Sequence, residues 1–257
     1  MTPLRQTGQV YMRGLRVLVR QPAYLGITLV QPIIWLLLFG ALFKAVTEIP
    51  GFHGSSYIDF LTPGVVVMLA VFSAGWSGMG FVEDINSGVM DRMLTSPVWR
   101  GALNVGTVLY SAFTVALQTA IIALLALALG AHFKGGVAGV ALLMLVGALL
   151  AAAMASFSNG IGVLGRQRET VIGAVSFLQL PLTFLSTALM QPSLVPGWIR
   201  TIAKFNPVNW AAEAGRAAAM QKIDWSVVGG RLGLLAALAL VCAGFASWAF
   251  RAYQRSL

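Results

Sequence analysis

The chain alternates between long apolar runs and short polar segments. Six intervals contain no Asp, Glu, Lys or Arg: 21–43, 60–82, 101–133, 135–165, 170–199 and 232–250. Each is long enough for the roughly 20 apolar residues that cross the hydrocarbon core of a bilayer. Backbone groups in lipid need internal partners, so the runs predict helices, and the short alternating segments of a barrel are absent. We therefore predict an all-α, polytopic membrane protein with six transmembrane helices, in a single domain over residues 1–257.

The first polar segment, residues 1–22, carries a polar stripe at helical spacing. Gln9, Arg13, Arg16 and Arg20 lie on one face of a helix, and apolar residues occupy the other faces. This pattern is typical of an amphipathic helix that lies in the membrane surface with its arginines near lipid phosphates. We expect an N-terminal interfacial helix here.

Residues 83–100 form the most polar interruption among the first spans. The segment contains three acids and two arginines around a short helical pattern, namely Glu83, Asp84, Asp91, Arg92 and Arg100. Its apolar residues share one helix face, and these are Val89, Met90, Met93 and Leu94. Asn86 or Ser87 is expected to cap the helix, and Pro97 limits its end. The segment is too short and too charged to cross a bilayer, so we expect a surface helix with an exposed apolar face. The alternative is an ordinary connecting loop.

The segment 191–230 is too polar for a further span. Asn206 is expected to cap a helix that has Pro207 at its first position and carries Glu213 and Arg216 among alanines. A shorter apolar helix precedes it. We predict two short outer helices that dip into the outer leaflet, where polar groups find partners in protein.

Charge gives the expected orientation. Only 10% of the residues are charged, against roughly 25% in soluble domains, and the net charge is +9. Most arginines flank the spans on the side that holds both termini, residues 83–100 and the short turn 166–169. The positive-inside rule predicts that these segments are cytoplasmic in a cell membrane. The excess charge fits contact with anionic lipid and does not indicate nucleic-acid binding.

Candidate chemistry within the chain is sparse. Gly75-Trp-Ser-Gly78 matches a serine-nucleophile pattern, but the histidines, His53 and His132, lie in or beside outer loops, too far away to act as a base. Two histidines and one cysteine are too scattered for a metal site. No lysine stands in a Gly-Lys-Ser/Thr context, so a phosphate-binding P-loop is excluded. Spans without ionisable residues disfavour ion-coupled transport. We therefore expect the chain to be no enzyme and to receive energy from another protein.

These residues resemble the membrane subunit of ABC-2 type exporters, nearest the daunorubicin-resistance-type drug-efflux permeases. The resemblance rests on the 60–64 sequence Phe-Leu-Thr-Pro-Gly, the 83–100 segment and the six-span pattern. It implies that the segment is a coupling helix that docks on the ATPase, through Glu83, Asp84, Gly88, Met90, Asp91, Arg92, Met93, Leu94, Pro97 and Arg100. It also implies outer helices at Asn206, Pro207, Glu213 and Arg216. Asp84 departs from the basic residue expected beside the glutamate. The turn with Arg166, Arg168 and Glu169 is a candidate second cytoplasmic contact.

The same resemblance implies the assembly and the activity. The chain would form a homodimer, through its interfacial helix and spans 1 and 5, and would bind two copies of an ABC ATPase. ATP and Mg would bind in that partner, and this chain would hold no cofactor. The complex would export a hydrophobic drug, antibiotic or lipid-like molecule from the cytoplasm or inner leaflet. Two alternatives stay open: export of a polysaccharide or lipid-linked glycan, and a membrane scaffold or assembly factor that transports nothing.

Overall fold

The computed structural model describes residues 2–42, 57–90, 101–219 and 222–255. Those residues are nearly all helical, which confirms the expected all-α membrane fold. The helices are α1 (Pro3–Arg20), α2 (Pro22–Leu42), α3 (Tyr57–Gly75), α4 (Gly78–Asn86), α5 (Gly101–Ala128), α6 (Gly136–Gly165), α7 (Arg168–Phe184), α8 (Gly197–Ala203), α9 (Pro207–Ala219) and α10 (Trp225–Gln254).

Helix α6 is the centre of the bundle. It packs against α3, α4, α5, α7, α9 and α10. Small residues permit these close approaches: a Cβ on Gly162 would collide with the backbone of Gly78 in α4, and one on Gly139 would collide with Ala218 in α9. Ser156 and Gly160 of α6 are also small and buried. Close packing of small residues is the usual source of helix association in lipid, where the hydrophobic effect between helices is weak.

Five helical stretches are long and apolar enough to span a membrane among the described residues. They are Leu25–Leu42, Tyr57–Asn86, Gly101–Ala128, Gly136–Gly165 and Trp225–Gln254. The expected fifth span, 170–190, is helical only to Phe184, so α7 has 17 residues. Such a helix is about 26 Å long, shorter than a core of about 30 Å. A count of six continuous transmembrane helices is therefore not confirmed.

The second span is interrupted where the sequence reads Trp76-Ser77. Helix α3 ends at Gly75 and α4 begins at Gly78, whose backbone N–H donates to the Ser158 hydroxyl at 2.9 Å. A Cβ on Gly78 would collide with the Ser158 carbonyl oxygen, so this glycine permits close contact with α6. The Gly75-Trp-Ser-Gly78 pattern is explained here by packing.

The bundle has two distinct ends. At one, which we call the basic end, lie Arg13 of α1, the end of α4, Arg166, Arg168 and Tyr253 near the end of α10. At the opposite end, the Asp59 carboxylate accepts from the His132 backbone N–H at 2.9 Å, and the Gly135 N–H donates to the Ala219 carbonyl. The described N-terminal helix and the end of α10 therefore share one end of the molecule. The side of the membrane on which that end lies remains a prediction.

Candidate functional site

The acids Glu83 and Asp84 lie in the last turn of α4, at the basic end. The Asp84 carboxylate binds the Arg13 guanidinium of α1 at 2.7 Å, and the side chains are 18% and 53% exposed. The Glu83 carboxylate lies 3.6 Å from the Arg168 guanidinium at the start of α7, and both side chains are largely exposed. Three segments that are distant in sequence thus meet at adjacent residues of one helix end.

Helix α4 ends at Asn86, so the segment that follows is not a continuation of the same helix. The Ser87 hydroxyl donates to the Glu83 carbonyl at 2.8 Å, and Gly88 follows with a φ of 69°. A positive φ in this range favours glycine and is typical of helix ends. Ser87 therefore caps the end of α4, to which Glu83 and Asp84 belong, whereas the helix predicted to start at Asn86 or Ser87 lies mostly outside the described residues. Helical structure resumes at 89–90.

Met90 does not lie on an exposed face. It is 1% exposed and belongs to a cluster with Phe81, Leu103, Phe250 and other residues of its own chain. The expectation of an exposed Met90 is wrong, because an apolar helix face in a sequence does not reveal which partner buries it. The remaining predicted coupling residues lie outside the described residues: Asp91, Arg92, Met93, Leu94, Pro97 and Arg100.

The short turn 166–169 joins α6 to α7. Arg166 adopts a left-handed φ of 53°, and its N–H donates to the Gly162 carbonyl, which ends α6. Its guanidinium lies 4.6 Å from the centre of the Tyr253 ring, so the turn is attached to α10. Glu169, in the first turn of α7, is exposed. Arg168 brings this turn beside the α4 acids, and its role as a second cytoplasmic contact remains a prediction.

A separate polar cluster holds the outer helices in place. The Asn206 side-chain oxygen accepts from the Val208 N–H at 2.9 Å, which confirms the expected cap of the helix that starts at Pro207. The Asn206 amide also donates to the carbonyls of Leu182 and Leu185, at 2.7 and 2.8 Å. These are the carbonyls freed where α7 ends.

Arg216 continues this cluster. Its guanidinium donates to the carbonyls of Thr187 and Ala188, both at 2.7 Å, and stacks over Phe60, 3.7 Å from the ring centre. The non-helical stretch after Phe184 thus obtains side-chain partners from α9. Irregular backbone at membrane depth is tolerated where protein satisfies it in this way.

Glu213 connects α9 to the last helix. Its carboxylate binds Arg231 of α10 at 2.7 Å and accepts from the Asn209 amide at 2.8 Å. Asn209 also accepts from the N–H and hydroxyl of Thr187. Arg231 is not among the site residues predicted from the sequence. An arginine just before an apolar run and a lone glutamate among alanines are the signals that suggest such a pair.

The chain is similar to known transport proteins over most of its length. The model of the ABC-2 type transporter family matches residues 5–220. The chain belongs to the ABC-2 type transporter family. It is 32% identical over 199 residues to the daunorubicin resistance ABC transporter permease protein DrrB1 of Streptomyces coeruleorubidus, covering 76% of this chain and 68% of that protein.

Two further relatives agree with this assignment. A putative transport permease, ycf38, of Porphyra purpurea is 28% identical over 207 residues, or 77% of this chain and 68% of that protein. The probable doxorubicin resistance ABC transporter permease protein DrrC of Mycobacterium tuberculosis H37Rv is 23% identical over 240 residues, or 93% and 84%. This ABC-2 permease is therefore a multi-pass transmembrane subunit of an ABC transporter, a family that implies an ABC ATPase as partner.

Proposed function

We propose that this permease is the membrane subunit of an ATP-driven exporter for hydrophobic drugs, antibiotics or lipid-like molecules. Two of its relatives carry names that refer to daunorubicin or doxorubicin resistance, which supports a drug-like substrate. In this proposal the chain forms a homodimer with two ATPase subunits, which bind ATP and Mg. Both termini and the basic end face the cytoplasm, in the plasma membrane.

One observation carries the mechanism: Glu83 and Asp84, adjacent at the end of α4, pair with α7 and α1 respectively. A displacement of the 83–100 segment by an ATPase would therefore act on three helices together. Helix α4 continues from α3 with only a short interruption, so the same displacement would reach the middle of the membrane. Coupling requires that nucleotide and substrate bias one two-state element, and this group of helices is our candidate.

The activity is tested by ATP-dependent uptake of doxorubicin into inside-out vesicles that contain the permease and its co-expressed ATPase. We expect Glu83→Ala to lower drug-stimulated ATP hydrolysis and uptake, because it removes the ion pair between the end of α4 and the start of α7. Its effect on stability should stay within about 1 kcal/mol, since exposed ion pairs contribute little. Asp224→Asn is the matched control: it removes an exposed acid at the opposite end and keeps a residue that caps α10. Equal uptake by wild type and Glu83→Ala would reject this coupling route.

Assembly is tested separately by copurification of the ATPase. Burial of an aliphatic side chain contributes roughly 1.5–3 kcal/mol. We therefore expect Met93→Ala with Leu94→Ala to release the ATPase, whereas Glu83→Ala should retain it. Full retention by the double variant would remove residues 93 and 94 from the docking surface.

A further inference from the structure

Two cavities meet inside the half of the bundle that contains the basic end. The larger, of about 300 Å³, lies between α1, α3–α4 and α5, and Arg13, Asp84 and Ser77 contribute to its wall. The smaller, of about 120 Å³, lies between α2 and α3. Ser73 and Trp76 line both cavities, so the two adjoin at these side chains, and we call the adjoining pair the path.

The path changes in polarity along its length. Hydroxyl groups line the larger cavity together with the ion pair, including those of Ser111 and Thr114. Aromatic and apolar side chains dominate the smaller one, among them Trp35, Leu69 and Phe72. Ligand sites of proteins are commonly apolar clefts with a few placed polar groups, and flat aromatic rings favour stacking with other rings. The path therefore suits an amphiphile with its polar end toward the basic end.

The ion pair favours one charge at that polar end. Asp84 is the less exposed partner, whereas the Arg13 side chain is more than half exposed. An amine that binds the Asp84 carboxylate would displace Arg13 into surrounding water at little cost, because Arg13 is already well solvated. An anion that binds Arg13 would instead leave Asp84 without its cation beside Glu83. Charge-assisted hydrogen bonds to a carboxylate are among the stronger polar contacts in proteins.

We propose that the two cavities form one binding site for an amphiphile with a flat apolar body and an amine at its polar end, which Asp84 binds in place of Arg13. The identification of this amphiphile as the exported substrate rests on the function proposed above. Helix α1 covers the site, since Val10, Gly14 and Val17 contribute to the wall of the larger cavity.

Gly80 offers a way to fill the site without disturbing the fold. It lines the larger cavity, and a Cβ built there meets no atom within 4 Å. Gly80→Leu should therefore occupy cavity volume. Gly244→Leu is the matched control, because Gly244 is helical, also meets no atom within 4 Å, and lies in α10 away from both cavities. Equal thermal stability of the two variants shows that the comparison concerns the cavity alone.

The test measures equilibrium binding to the permease in phosphatidylcholine nanodiscs. The ligands are doxorubicin and its aglycone, which lacks the amino sugar, and their fluorescence reports binding. We expect saturable doxorubicin binding, weakened about tenfold or more by Gly80→Leu and unchanged by Gly244→Leu. Asp84→Asn should lower the affinity for doxorubicin about tenfold and leave the affinity for the aglycone unchanged, because only the amine loses its partner.

Three results would overturn the proposal. Non-saturable binding by the wild type would mean that the cavities hold only bulk lipid. Binding unaffected by Gly80→Leu would place the ligand elsewhere. An equal loss of affinity for doxorubicin and for the aglycone in Asp84→Asn would contradict the proposed contact between Asp84 and the amine. Saturable, Gly80-sensitive binding without ATP-driven uptake would instead reject the export function and keep the site, so the two failures are distinguishable.

Discussion

Single residues in this permease compensate for interruptions of its helices. Arg216 is partly buried and supplies donors to two carbonyls that have left helical geometry, and it stacks on Phe60 in the same position. A planar guanidinium performs both tasks at once, whereas an ammonium group offers no stacking plane. Asn206 has a similar role, because its side-chain oxygen caps α9 and its amide donates to a carbonyl near the end of α7.

Arg216→Met should lower the free energy of unfolding by about 1.5 kcal/mol or more, since it leaves the carbonyls of Thr187 and Ala188 without their charged donor. Arg216→Lys should recover part of this loss. Unfolding by SDS in mixed micelles measures both variants. Arg200→Met is the control, because Arg200 is exposed and donates to the Val195 carbonyl; it should stay within about 0.5 kcal/mol of wild type. A wild-type value for Arg216→Met would contradict the role given to this arginine.

At the scale of elements, buried amides connect helices that are otherwise apolar. Asn159 of α6 is 0% exposed, and its amide donates to the side chains of Asn104 and Thr107 in α5, at 2.9 and 3.0 Å. Gln179 of α7 donates in the same manner to the Val71 carbonyl of α3 at 2.9 Å. These bonds fix neighbouring helices in register within the bundle.

A double-mutant cycle with Asn104→Ala and Asn159→Ala should give a coupling energy of about 0.6 kcal/mol, the usual size for side-chain hydrogen bonds between membrane helices. The same SDS titration measures it. Asn159→Ala paired with Ser247→Ala serves as the uncoupled control, since the Ser247 hydroxyl donates to Ala243 within its own helix. Additive effects of the two asparagine substitutions would show that the bond contributes nothing specific.

The sequence permits reliable prediction of features that depend on local composition. The apolar intervals predict the helices, and Asn206-Pro207 predicts the start of α9, because span length and capping depend on neighbouring residues in the chain. It does not predict the pair Arg13–Asp84, whose members are 71 residues apart, or the burial of Met90. These depend on which helix lies opposite. The sequence pattern of an apolar helix face is the same whether its own chain or a partner protein buries it.

At the scale of the whole molecule, the two ends differ in charge and in the segments they hold. Ser87 and Gln167 belong to the basic end, whereas His132 and the exposed Ser193 belong to the loops of the other end. The asymmetry of arginines predicts that the basic end is cytoplasmic. All of these positions are exposed and suited to chemical labelling.

Single cysteines at His132 and Ser193, in a Cys242→Ala background, should react with a membrane-impermeant maleimide in intact cells. Cysteines at Ser87 and Gln167 should react only after permeabilisation, because the membrane shields the cytoplasmic side. The Cys242→Ala parent gives the background signal. Labelling of Ser87→Cys in intact cells would place the basic end outside and reject the proposed orientation.

The end of α7 at Phe184, partway through the expected span, also has a consequence for the insertion of the nascent chain into the membrane. Carbonyls of Leu182, Leu185, Thr187 and Ala188 take their donors from side chains that are translated 21 to 29 residues later. A nascent chain that has emerged only as far as Ala188 lacks those donors. If this segment entered lipid at that stage, several of its carbonyls would have no hydrogen-bond partner. We therefore expect integration of this stretch to be complete only after Asn206 and Arg216 have been translated.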